Sequence, residues 1–217
     1  MAFLDIVYNQ TPAHRTEDHQ YVYPCLIDLF ENFKMCSFQD TKVVIMGSEP
    51  AGGRHDTGIP LGNLYRNHGA STGQTIRIER AINKLYKAEY AKLTGKKDEY
   101  NFDSTLYSWL AQGVLTLYAS NTKVDGVKMG HKYVWRDFNR NLIERISEAK
   151  EKKVVFCFWG EEAQYFAKYV DISKHTVLQY TGLDESLANG TDWNCTHFKT
   201  IDAIIEKEYG KDAKIYW

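Results

Sequence analysis

The 217 residues carry 27 Lys and Arg against 28 Asp and Glu, a formal net charge of −1, with 43% hydrophobic and 25% charged residues. That profile excludes a disordered chain and a strongly basic, histone-like binder, while leaving room for a local basic face. A chain of this length buries a full core, roughly 70% of the surface its unfolded form exposes.

Nothing divides the chain by composition, so a single domain over residues 1–217 is expected. Met1-Ala2-Phe3-Leu4-Asp5 has no basic n-region, and no stretch approaches the ~20 apolar residues of a membrane span. A soluble, cytoplasmic protein without membrane association follows as the expectation. Cys25, Cys36, Cys157 and Cys195 have no C-x-x-C spacing, which points to reduced thiols and to no metal site.

In chain order, Leu26, Leu29, Phe30 and Phe33 after Tyr23-Pro24 repeat with a helical period. Lys42-Val43-Val44-Ile45-Met46-Gly47 is a continuous β-branched run closed by Gly, the pattern of a strand buried on both faces. The loop Gly47 to Gly62 is Gly-rich and holds Glu49, but no Gly-Lys-Ser/Thr follows, so it is not a phosphate-binding P-loop. His55-Asp56 within it reads as an exposed polar pair.

Ile76, Ala81, Ile82, Leu85 and Tyr86 predict a second helix. Lys84, Lys87, Lys92, Lys96 and Lys97 alternate there with Tyr86, Tyr90 and Tyr100, a pattern able to track phosphates and bases, but the accompanying Glu89, Asp98 and Glu99 favour a solvated helix and loop. Gly113 to Tyr118 and Lys153 to Gly160 are further buried strands. Phe138, Leu142, Ile143 and Ile146 predict a third helix, and Ala163, Phe166 and Tyr169 a fourth. Glu148 to Lys153 reads as a solvated helix end. Alternating strands and helices predict an open α/β sandwich, with its working site in the loops after Met46, Leu117, Phe158 and Leu178.

The order and spacing of these segments resemble the uracil-DNA glycosylase superfamily, family 1 most closely, over about residues 21–217. The carriers are the lead-in from Tyr23-Pro24 to Thr41-Lys42-Val43-Val44-Ile45-Met46-Gly47, then Ser108-Trp109-Leu110-Ala111-Gln112-Gly113-Val114-Leu115. They continue with Val154 to Gly160 followed by Ala163-Gln164, and with His175 to Leu178, Cys195, His197-Phe198 and Trp217. Thr57-Gly58-Ile59-Pro60-Leu61-Gly62 is similar to the single-strand-selective branch, and Gly130 to Trp135 to the poxvirus glycosylases. The resemblance implies an α/β/α sandwich around a mostly parallel four-stranded sheet, no cofactor, DNA as partner, and a flipped base held in a pocket.

The resemblance also makes the departures visible. In the segment Gly47-Ser48-Glu49-Pro50-Ala51, Glu49 stands where the family has its catalytic Asp, and Ala51 where it has the Tyr that blocks a C5-methyl group. Leu61 falls at the aromatic that stacks on uracil, and Tyr118 at the Asn that reads the uracil edge. The family's H-P-S-P-L-S reads as Gly182-Leu183-Asp184-Glu185-Ser186-Leu187, with Gly182 at the catalytic His.

Ser48, Ala51, Leu61, Tyr118 and Gly182 are therefore the implied base pocket. Glu49 is the implied catalytic group, with Asp56 as its substitute. The implied DNA face comprises Gly52, Gly53, Arg54, Lys128, His131, Lys132 and an intercalating Leu183 or Leu187; His131 and His197 read otherwise as structural. Losing an oxyanion-stabilising group costs roughly 10²–10³ in rate, and losing the edge-reading side chain forfeits discrimination of roughly 10⁴. Two functions follow. One is a glycosylase fold whose uracil excision is lost or strongly reduced, acting through DNA or through a protein partner such as a replication or repair component. The other is an active glycosylase of thymine or 5-substituted uracil, using Glu49 in a pocket opened at Ala51.

Overall fold

The computed structural model of the chain describes residues 21–52, 56–63, 73–94 and 102–217. Its centre is a four-stranded parallel sheet of β2 (Val43–Gly47), β3 (Val114–Tyr118), β5 (Val155–Trp159) and β6 (Thr176–Tyr180), in the spatial order β3-β2-β5-β6. Every residue of β2, β3 and β5 is buried, as their predominantly apolar runs require, with Thr116 of β3 the one polar residue among them, whereas edge strand β6 is only partly covered.

The register aligns Gly47 with Tyr118, Met46 with Phe158, and Trp159 with Tyr180. The carboxyl ends of all four strands therefore open onto one edge. A two-stranded antiparallel ribbon, β1 (Val22–Tyr23) with β4 (Lys123–Val124), pairs Tyr23 with Lys123.

The helices are α1 (Glu31–Met35), α2 (Gly73–Thr94), α3 (Tyr107–Ala111), α4 (Lys132–Ala149), α5 (Glu161–Gln164), α6 (Leu183–Ala188) and α7 (His197–Tyr209). The single helix expected over Leu26 to Phe33 is broken. A 3-10 turn at Leu26–Asp28 ends before Phe30, whose backbone (φ −120, ψ 27) is not helical. The break lets Leu29 and Phe30 pack on Trp135 and turns Asn32 inward, where its Nδ2 donates to the Thr116 carbonyl at 2.7 Å. Leu26 and Ile27 stay exposed. The fourth expected helix is likewise divided, α5 passing into a 3-10 turn at Tyr165–Tyr169.

An aromatic cluster ties the sheet to the chain's last residue. Trp159 contacts Trp193 and Phe198, and Trp217 meets Phe198 at 4.9 Å and Trp109 at 5.1 Å between ring centroids. Asp202 locks this cluster by accepting from Trp217 Nε1 and from the Tyr86 hydroxyl. Cys36, Cys157 and Cys195 are buried free thiols and Cys25 is exposed. Among the described residues no helix is long and apolar enough to cross a membrane, and no His, Cys, Asp and Glu cluster could hold a metal ion.

Candidate functional site

The loops after the strand ends enclose a cleft of about 830 Å³. Glu49, two residues beyond β2, is only 4% exposed, yet its carboxylate lies on the cleft wall. Oε2 accepts the backbone N–H of Met129 at 2.7 Å, and Oε1 lies 3.4 Å from Lys123 Nζ. The antiparallel ribbon makes this possible. Pairing Lys123 with Tyr23 brings the cation beside Glu49, and the following turn returns Met129 in a left-handed conformation (φ 53) with its N–H toward the carboxylate.

Gln74, in the first turn of α2, joins the two sides of the site. Its Nε2 donates to the Glu49 carbonyl at 3.2 Å and to both carboxyl oxygens of Asp184 at 2.9 Å. Its Oε1 accepts from the Tyr118 hydroxyl at 2.9 Å, and that hydroxyl in turn accepts the Leu61 N–H at 2.8 Å. Burial pushes the Asp184 carboxyl up, against the pull of Gln74 and two lysines.

The implied base pocket is close-packed. The Tyr118 ring and Leu61 press on Gly47, where a β-carbon would stand 2.9 Å from Leu61 Cδ2 and 3.3 Å from the ring. The void remaining beside Tyr118 is about 10 Å³, lined also by Asp56, Pro24 and Pro50. Such a space is at the lower limit for one water molecule.

Asp56 corrects the expectation of an exposed loop pair. Burial raises its carboxyl to about 6, and one oxygen accepts the Gly52 N–H at 3.0 Å. It borders the small void rather than the cleft. Ser48, Ala51 and Gly52 line the cleft. Gly53, Arg54 and His55 lie outside the described residues, as do Lys96, Lys97, Asp98, Glu99 and Tyr100.

Gly182 caps α6. Its N–H donates to Glu185 Oε2 at 3.1 Å, while Glu185 Oε1 accepts the Glu161 N–H at 3.1 Å. Of the two leucines considered for intercalation, Leu183 is turned into the core and Leu187 is half-exposed on the cleft wall. Lys128 is exposed at the cleft. Lys132 is paired with Glu162 at 2.9 Å. His131 is partly buried with Nδ1 2.8 Å from Thr122 Oγ1, and burial pushes its imidazole down. His197 takes the Trp159 indole N–H on Nδ1 at 3.2 Å, a core contact.

Gln74, Lys123 and Met129 belong to the site without having been expected there. The first two carried a weak signal, one polar side chain beginning an amphipathic helix and one cation in a loop at a strand's carboxyl end. Met129 acts through its backbone and carried none.

No family model matches the chain. Among proteins of known identity, the uracil-DNA glycosylase of Campylobacter concisus is 32% identical over 197 residues, 90% of this chain and 79% of that protein. The uracil-DNA glycosylase of Vibrio parahaemolyticus is 30% identical over 200 residues, 90% of this chain and 81% of that protein. Among solved structures, mimivirus uracil-DNA glycosylase superposes with a TM-score of 0.71 at 18% identity, covering 100% of this chain and 84% of that one. A variant of the mimivirus protein in complex with UGI gives a TM-score of 0.70 at 18% identity, covering 88% and 74%. The structural likeness concerns the fold; the sequence relatives carry the kinship, and the chain belongs to the uracil-DNA glycosylase superfamily.

Proposed function

We propose that this is a glycosylase-fold protein whose uracil excision is lost or strongly reduced, and which acts by binding DNA or a protein partner. The observation that carries the reading is the place of Tyr118. Its hydroxyl is engaged by Leu61 and Gln74, and the void beside it is about 10 Å³, far too small for a pyrimidine. Gly182 adds to this, since it brings no imidazole to stabilise charge on a departing base. The relatives named uracil-DNA glycosylase support DNA as the nucleic acid concerned.

A second reading rests on Glu49. Its carboxylate borders an open cleft of about 830 Å³ beside the small side chain of Ala51, which supports excision of a 5-substituted pyrimidine from a displaced pocket.

Oligonucleotides carrying uracil, mismatched thymine or 5-hydroxymethyluracil, assayed for abasic sites, separate the two. The expected result is uracil release far below that of an active family member; release at a comparable rate overturns the proposal. If any base is released, Glu49→Gln should lower the single-turnover rate by roughly two orders of magnitude. Ala51→Tyr should then depress release of 5-substituted bases more than release of uracil.

A further inference from the structure

The Glu49 cleft is a poor place for a phosphate backbone. Six carboxylates line it, against Lys123 and Lys128, the first of which is already engaged by Glu49. Like charges at this density repel a polyanion, and the cost grows at low salt. The neighbouring surface of α2 has the opposite character. Arg77, Arg80 and Lys84 follow one another at helical spacing on one face, each three or four residues from the last. They form one wall of a groove of about 140 Å³, faced by Thr191, Asp192, Trp193 and Asn194.

We propose that this groove holds the sugar-phosphate backbone of a nucleic-acid strand. The inference rests on the reading that the protein works on DNA, and moves the contact from the cleft mouth to α2. Three cations face one carboxylate, Asp192, among the described lining residues. The Nε of Arg77 is buried and has no acceptor among the described residues. A buried donor without a partner forfeits hydrogen-bond energy that a phosphate oxygen could restore after a small turn of the side chain.

The facing wall is firm. Trp193 Nε1 donates to the Thr181 carbonyl at 2.8 Å, its ring lies 4.8 Å from that of Trp159, and Lys84 Nζ donates to Asn194 Oδ1 at 2.8 Å. From Arg77 to Lys84 the helix rises about 10 Å, and the three long side chains on that span reach successive phosphates of one strand. Gln74 stands one turn before Arg77 on the same helix, so a strand in the groove passes the cleft mouth.

The test is titration of a fluorescent single-stranded oligonucleotide over a range of salt concentrations. The variants are Arg77→Gln/Arg80→Gln/Lys84→Gln, Arg77→Lys, and Lys207→Gln on the exposed side of α7, with thermal unfolding confirming that each folds. The triple variant should lose about 2 from the slope of log K against log salt, close to 0.7 per contact. Arg77→Lys and Lys207→Gln should keep the wild-type slope. Wild-type binding with an unchanged slope in the triple variant overturns the groove and leaves the DNA reading standing. No wild-type binding at low salt, or capture of a glutamate-rich peptide in place of the oligonucleotide, overturns the DNA reading and the groove with it.

Discussion

A β-carbon built on Gly182 would stand 3.0 Å from the Cα of Gly160 and 3.2 Å from the carboxyl carbon of Glu185. The two glycines let the turn after β5 and the start of α6 lie against each other, and Glu185 bonds both backbones across that contact. The Gly182 backbone (φ −66, ψ 150) is open to any residue, so contact alone restricts the position.

A histidine placed here, where the resemblance implies the family's catalytic His, should therefore fail as a repair. Gly182→His is expected to cost about 1–3 kcal/mol through overpacking and to yield no uracil release, measured by urea unfolding together with an abasic-site assay. Release appearing without loss of stability would show that the helix start can move aside.

The Tyr118 hydroxyl should prove structural. Tyr118→Phe leaves the Leu61 N–H and the Gln74 carbonyl without their partner in a buried setting, which should lower stability by about 1–3 kcal/mol. An unfolding midpoint equal to wild type would mean that water replaces the hydroxyl.

Stability should fall as pH rises through the range in which Asp56 titrates. Burial lifts its carboxyl from the ordinary 3.8 to about 6, outweighing the Gly52 N–H and Lys123, which pull it down. The native state thus binds this proton more tightly than the unfolded chain, so the contribution is complete below about 3.8 and lost as pH passes about 6. Asp184 is shifted in the same direction. Asp56→Asn retains an acceptor for Gly52 and should flatten the dependence, gaining at neutral pH up to about 3 kcal/mol. Parallel stability curves for the two proteins from pH 4 to 8 would refute the assignment.

Strands β2, β3 and β5 were legible because both of their faces are buried, so each reads as a nearly continuous apolar run, Thr116 of β3 being the one polar interruption. The stripe from Leu26 to Phe33 misled for the converse reason. Helical periodicity cannot register that Phe30 leaves the helix so that its ring reaches Trp135 and Phe138, residues more than a hundred positions away. The site was legible one residue at a time but not as a network. Glu49 and Tyr118 drew attention through the motifs around them, whereas Gln74 meets Asp184 across 110 residues and Glu49 takes its N–H from a methionine in a turn. Such contacts are set by the strand register and by the β1–β4 ribbon, which local sequence does not encode.

All five indoles of the chain (Trp109, Trp135, Trp159, Trp193 and Trp217) are at most 5% exposed. Native fluorescence should accordingly be blue-shifted and resist quenching by acrylamide, and the emission should move to the red only when the core opens. Trp159 and Trp193, with ring centroids 4.8 Å apart, are close enough for their near-ultraviolet transitions to couple. The circular dichroism of that pair is an optical gauge of the wall opposite Arg77, read without any added label.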